Sequence, residues 1–266
     1  MYRLLIVTKD PSAIDRLNAT DGWEKLGFRP PRICQSFEEA KASLSAHRVD
    51  AIAVDADPDF DELHAYLDEH YPTKPLCRVE KDPQKQRQVV QELYSLLTRL
   101  SADDTNDEYD DAYKLQQQRE RWLKKVIGGM VPTEEEMQRQ ICLYRCRERL
   151  DVPCVLARLE MPDDDTFLSE RWHYGSERLE QALRNFFGFE HDHMLMHVAV
   201  VSQEEVRVLC YPASLDMGIS ENVAFEYVQE TLEQVDHYLG LHMKVLEVRR
   251  IPGLLAFAAE HAATDA

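Results

Sequence analysis

Short apolar runs separated by amphipathic stretches fill the first hundred residues, and this alternation narrows the fold more than any other feature of the chain. YRLLIV (2–7), PRICQS (31–36), DAIAVD (50–55) and KPLCRV (74–79) read as strands. PSAIDRLNATDGWEKLG (11–27), FEEAKASLSAH (37–47) and FDELHAYLDEH (60–70) read as the helices between them. DPQKQRQVVQELYSLLTRL (82–100) is a longer amphipathic helix with Val89, Val90, Leu93, Leu96, Leu97 and Leu100 on one side. Local signals agree: Asp10 stands before Pro11 as an N-cap, and Ser36 is followed three residues on by Glu39, as in a capping box. Strands separated by helices imply a parallel sheet with right-handed crossovers.

The pattern then changes. SADDTNDEYDD (101–111) holds six acids and no base, and reads as a solvated linker or the frayed start of a helix. Residues 112–131 form a helix up to Gly128-Gly129, and 132–150 start another, with Thr133 as cap and Glu134 to Glu136 in its first turn. Trp122 on the first of these is expected to pack against protein, because exposure would be costly. A second mixed unit follows: strand 153–161, helix 166–187, a hairpin of 193–201 and 205–211 across SQE, helix 220–240 with Ser220 as cap and Gly240 as stop, and strand 241–251. The order β-α-β-β-α-β is the split pattern of ferredoxin-like sheets.

Charge excludes one class of function. With 31 basic against 49 acidic residues and a net charge of −18, the chain is a poor binder of nucleic acid, whose affinity comes largely from phosphate neutralisation. No apolar run approaches membrane-spanning length and no signal-peptide pattern opens the chain, so a cytoplasmic location is the expectation. The six cysteines lack any CxxC pair and are expected reduced; Cys142 and Cys146 alone are too few for a metal site. His191 and His193 share a face if residues 191–197 are one extended strand, which makes them the weak candidates for a metal; His197 lies too far along for the same ion.

The stretches LLIVTKDP, WEKLGF, VDAIAVD and HYPTKPLCRV together resemble the receiver domain of bacterial response regulators. That resemblance implies a flavodoxin-like sheet with its site at the C-terminal edge. It places Asp55 at the phospho-acceptor position. Where the family carries two metal-binding acids this chain has Thr8 and Lys9, with Asp10 one place late; Val79 or Glu80 stands at the switch-hydroxyl position, and the fifth strand with its lysine is not recognisable. Phosphoryl transfer to a carboxylate needs positive charge on the incoming oxygens, and Mg²⁺ needs several oxygen ligands. The expectation is therefore a pseudo-receiver with Asp55 vestigial and no magnesium held; a Lys9–Asp55 ion pair would supply a fixed charge balance instead.

From RERWLKKVIGGMVPTEEEMQRQICLYR and CVLARLEM onward, the layout resembles the central region of AraC-type, YesN-like two-component regulators, where a degenerate GGDEF-like module follows the receiver. The hairpin turn VVSQEEVRV has no Gly-Gly phosphate cradle, so Glu204 and Glu205 read as a solvated turn and Glu160 with Asp163 to Asp165 as loop and helix-start charge. The expected segments are a receiver-like domain at 1–100, an acidic linker with connecting helices at 101–150, a GGDEF-like α+β domain at 151–252, and at 253–266 either a C-terminal tail of a protein that acts without an output region or the start of an output region. The function implied is non-enzymatic signal transduction in a two-component-type transcriptional regulator, as a homodimer meeting a histidine kinase or the transcription machinery by protein contact. The alternatives are a working phospho-accepting receiver, an enzyme of nucleotide or phosphoryl chemistry, and a nucleotide or metal sensor using the second domain. The absence of GxGxxG and P-loop motifs weighs against the enzyme.

Overall fold

The computed structural model describes residues 1–18, 22–101, 108–130, 133–161, 172, 175–214 and 216–264. It is an α/β chain of two compact units, one of residues 1–119 with 138–147 and the other of 120–137 with 148–266. No helix among the described residues is long and apolar enough to cross a membrane.

In the first unit, strands β1 (Leu4–Val7), β2 (Arg32–Cys34), β3 (Ala51–Val54) and β4 (Leu76–Arg78) form a parallel sheet in the order β2-β1-β3-β4. The chain steps outward from β1 to β2, then back past β1 to β3 and β4. Right-handed crossovers then place α1 (Pro11–Asn18) on one face and α2 (Phe37–Ala46) and α3 (Asp61–His70) on the other. Leu5, Val7, Ile52 and Val54 pack beneath Ala40, Leu44, Leu63 and Leu67 of α2 and α3. The alternating residues Leu4, Ile6, Ala51 and Ala53 are buried as well, so these strands are covered on both sides and spell uninterrupted apolar runs. The long helix α4 (Pro83–Ser101) buries all six of the apolar residues expected to face inward.

The helix expected over 11–27 is shorter. α1 stops at Asn18, residues 19–21 lie outside the described ones, and Trp23–Leu26 forms a 3-10 turn bracketed by Gly22 (φ 95°) and Gly27 (φ 83°). Both glycines sit in the left-handed region, which a side chain resists. At α2 the Ser36 hydroxyl accepts from the Glu39 N–H (3.2 Å), and the Glu39 carboxylate reaches back one residue past the cap to the Gln35 N–H (2.8 Å).

Helix α5 (Glu108–Ile127) begins earlier than expected. Of the acidic stretch 101–111, Ser101 belongs to α4, residues 102–107 lie outside the described ones, and 108–111 belong to α5. Gly128 and Gly129 (φ 87°) stop it. At α6 (Glu134–Leu143) the Glu136 N–H donates to Thr133 Oγ1 at 3.3 Å, so Thr133 is the cap. The connecting helices are shared between the units: α5 contributes through Arg119 to the first and from Glu120 to the second.

The second unit is built on an antiparallel sheet, β6-β7-β8-β5-β9, of β5 (Cys154–Glu160), β6 (Glu190–His191), β7 (Met194–Val200), β8 (Glu205–Pro212) and β9 (Lys244–Ile251). Residues 162–171, which include Asp163 to Asp165 and the expected start of a helix at 166, lie outside the described ones. The described helix α7 (Ser176–Phe187) and α8 (Glu221–Leu239) contribute Leu179, Leu183, Ala224, Val228 and Val235 to a core over one sheet face, meeting Val155, Ala157, Val206 and Val208. Ser220 occupies the N-cap position of α8 without a side-chain hydrogen bond, and Gly240 (φ 66°) ends it. A last helix, α9 (Leu254–Thr264), buries Leu254 and Phe257. Trp122 is 4% exposed, as packing against protein requires.

Candidate functional site

The C-terminal ends of β1 and β3 lie side by side, with Val7 paired to Val54, and the next residues on each strand are Thr8 and Asp55. Thr8 is fully buried and its hydroxyl donates to Asp55 Oδ2 at 2.6 Å. Asp55 Oδ1 accepts the N–H of Ala56 at 2.8 Å, and the Asp55 N–H donates to the Val7 carbonyl at 2.9 Å. Thr8 Oγ1 in turn accepts from the Asp10 N–H at 3.2 Å. Asp55 is thus half-buried in a lattice of neutral donors, and among the described residues it makes no ion pair.

The ion pair considered between Lys9 and Asp55 is not formed. Lys9 Nζ donates instead to Asp59 at 2.6 Å and lies 5.4 Å from the centre of the Phe60 ring. The hydrogen bond to Asp59 raises the Lys9 ammonium above its ordinary value. The reason is geometric: Asp57 caps a 3-10 turn (Pro58–Phe60) by accepting the Asp59 N–H at 3.0 Å, and that turn presents the Asp59 carboxylate to Lys9. Asp10 is also occupied locally. Its carboxylate accepts the Ser12 hydroxyl and N–H at 2.8 and 2.9 Å, which holds it below the usual carboxylate range and caps α1.

These donors do not fit a magnesium ion. Thr8 is a neutral alcohol spent on Asp55, Asp10 is spent on Ser12, Asp57 accepts the Asp59 N–H, and Asp59 is paired with Lys9, so among the described residues following β1 and β3 no second carboxylate stands free to join Asp55 around a cation that wants several hard oxygens. Val79 follows β4, is 9% exposed, and donates its N–H to the Val54 carbonyl at 3.1 Å, so it closes the sheet edge with an apolar side chain. Glu80, the next residue, donates its N–H to Gln86 Oε1 at 2.8 Å.

In the second unit the structure corrects two readings. His191 and His193 do not share a strand face. His191 ends the two-residue β6, and Asp192 (φ 43°) and His193 (φ 65°) form the tight turn into β7, both left-handed as a two-residue hairpin requires. The His191 ring stacks on Tyr227 at 3.9 Å between centroids. His197 lies on β7 with Nε2 3.0 Å from Glu148 Oε1. Among the described residues no group of three or more His, Cys, Asp or Glu side chains is placed to hold a metal ion.

The second correction concerns Glu205, which is not a solvated turn residue. Its carboxylate accepts from Arg158 Nε (2.9 Å) and Nη2 (3.2 Å) and from Arg207 Nε (2.7 Å). Arg158, followed by Arg207, brings the Glu205 carboxyl down to about 2. Arg207 also donates to the Ile127 carbonyl at 2.7 Å, ending α5. Arg158 and Arg207 are direct cross-strand partners, and Glu205 lies two residues from Arg207 on the same face. That period-two spacing was the available signal. Glu204 stays exposed, and Ser202 Oγ accepts the N–H groups of Glu204 and Glu205 at 3.1 Å each, closing the turn.

Neither a family model nor a curated protein sequence matches this chain.

Proposed function

We propose that the chain is a non-enzymatic signal-transduction protein, the regulatory part of a two-component-type regulator, with a pseudo-receiver as its first unit and a degenerate GGDEF-like, ferredoxin-like module as its second. The observation that carries this reading is the 2.6 Å Thr8–Asp55 hydrogen bond. A parallel sheet in the order β2-β1-β3-β4 sets a carboxylate at the edge where such sheets place their sites, yet the neighbour that should supply a metal ligand is a hydroxyl used to anchor that carboxylate. Lys9 and Asp10 serve neighbouring turns. The edge is a fixed scaffold, and the protein works through contacts with other proteins, including a second copy of itself.

Support for the second half of the reading comes from the strand order β9-β5-β8-β7 with two helices on one face, and from a hairpin whose acid is bound to two arginines. A carboxylate so paired is not offered to a metal or nucleotide. The test is incubation of the full chain with acetyl phosphate and Mg²⁺, read by intact-protein and peptide mass spectrometry. No phosphoryl adduct is expected. An adduct at Asp55 that vanishes in Asp55→Asn would replace this reading with that of a working phospho-acceptor.

A further inference from the structure

A cavity of about 390 Å³ opens in the first unit between α1, the 3-10 turn at Trp23–Leu26, the residues after β4 and the first half of α4. Its volume falls within the range of small-ligand sites. The walls are apolar and fixed on regular elements: Ala13 and Leu17 from α1, Trp23 from the turn, Val79 from the sheet edge and Val90 from α4, all buried. Pro83, Gln86, Arg87 and Val90 recur at helical spacing, so one face of α4 forms a whole side.

The turn that makes another side is held from both ends. The Trp23 indole N–H donates to the Leu17 carbonyl at 3.3 Å. Gly27 fits against the Tyr94 ring of α4 so closely that a Cβ there would lie 2.1 Å from it. The space is therefore bounded by parts that cannot collapse without breaking these contacts.

The described lining carries three cations, Arg16, Lys25 and Arg87, against one acid, Glu80. Arg16 Nη1 donates to Ser12 Oγ at 3.1 Å. Lys25 and Arg87 are exposed, and among the described residues neither makes an ion pair or a side-chain hydrogen bond. In a chain with 49 acids and 31 bases, two unpaired cations at the rim of one apolar cavity are a departure from the general charge balance. We propose that this cavity binds a small organic anion, its apolar body between Trp23, Val79 and Val90 and its carboxylate or phosphate head toward Lys25 and Arg87. Each part of the site matches a part of such a ligand: desolvation favours the body, and charge fixes which end stays at the mouth. The proposal stands whether or not Asp55 accepts phosphate.

Octanoate, octyl phosphate and octan-1-ol present one apolar body with two anionic heads and with none. Calorimetry on the full chain, with hydrogen exchange to locate binding, tests the assignment. Both anions are expected to bind with one site per chain, octan-1-ol about five- to tenfold more weakly, as two exposed ionic contacts imply. Protection is expected in 11–17, 22–27 and 79–90. The Lys25→Ala/Arg87→Ala variant, altered at exposed positions and checked for an unchanged melting temperature, should bind the anions as weakly as the alcohol and the alcohol as before. The tighter of the two anions identifies the head group. Equal affinity for alcohol and anions, anion binding unmoved in the double variant, protection elsewhere, or no binding would each overturn the proposal.

Discussion

Asp55 in the first unit and Glu205 in the second are both half-buried carboxylates at a strand terminus, yet their surroundings differ in kind. Asp55 is held by a hydroxyl and a backbone N–H, both neutral. Glu205 is held by two guanidinium groups. The difference follows from the sheets. In the antiparallel sheet, side chains of neighbouring strands stand opposite one another, so Arg158, Arg207 and Glu205 meet across the ladder. In the parallel sheet the strand ends converge on an edge served by loops, and there Asp55 takes the Thr8 hydroxyl from the neighbouring strand end and the N–H of the next residue. The second unit's arrangement gives its acid two countercharges; the first unit's holds its acid by neutral donors alone.

The largest effect expected comes from a close approach found at one left-handed glycine, Gly27, and missing at another, Gly240. Gly27 and Gly240 both adopt left-handed backbone, φ 83° and 66°, but a Cβ on Gly27 meets the Tyr94 ring whereas one on Gly240 meets nothing within 4 Å. Gly240→Ala should cost about 1 kcal/mol of backbone strain, and Gly27→Ala about 3 kcal/mol or more once the ring must move. Urea denaturation of the two variants measures this, and equal losses would mean that Tyr94 swings away freely.

Next in size is the arginine-bound acid. Glu205 has a folded-state value of about 2 against an ordinary 4.5, so its contribution is complete above the ordinary value and is lost as pH falls through the interval between them. Glu205→Gln should lower stability by about 1 kcal/mol at pH 7, a modest figure because the group is screened by water, and by much less near pH 2. A variant that lost as much at pH 2 as at pH 7 would show that packing, and not charge, is what Glu205 contributes. Added salt should shrink the pH 7 difference.

The alternation of apolar runs and amphipathic stretches made the parallel sheet legible to within a residue or two, because strands covered on both faces carry the signal in every residue. The Ser36 and Thr133 caps were legible for the same reason: their partners lie three residues away. What escaped depends on tertiary placement or on weak turn chemistry. Asp192 and His193 take left-handed backbone without a glycine between them, so His191 and His193 looked like one strand. Residues 108–111 lie in α5, the second of the two readings, linker or frayed helix start, that the acidic composition left open. Asp55 was placed at its strand end correctly in sequence, but the pairing of Lys9 with Asp59 depends on a 3-10 turn whose direction no local pattern fixes. The cavity beside α4 arises from three segments separated by up to some seventy residues and had no sequence signal of its own.

The smallest effect bears most directly on the edge of the first unit. Thr8→Val keeps the shape of a fully buried side chain and removes one hydroxyl, which leaves Asp55 Oδ2 without its donor and the Asp10 N–H without its acceptor. Both lie near enough to the surface for water to replace the lost partner in part, so the cost should be about 1 kcal/mol. Asp55→Ala alone should cost a similar amount, and the double variant less than the sum, with a coupling of about 0.5–1 kcal/mol assigned to the hydrogen bond itself. The cycle is measured by urea denaturation of the four proteins at pH 7. A coupling of zero would mean that Thr8 merely neighbours Asp55, and the carboxylate would then be loose at the edge and open to a ligand from solution. A measurable coupling ties the ends of β1 and β3 together through this one bond, and makes Asp55 a brace between strands.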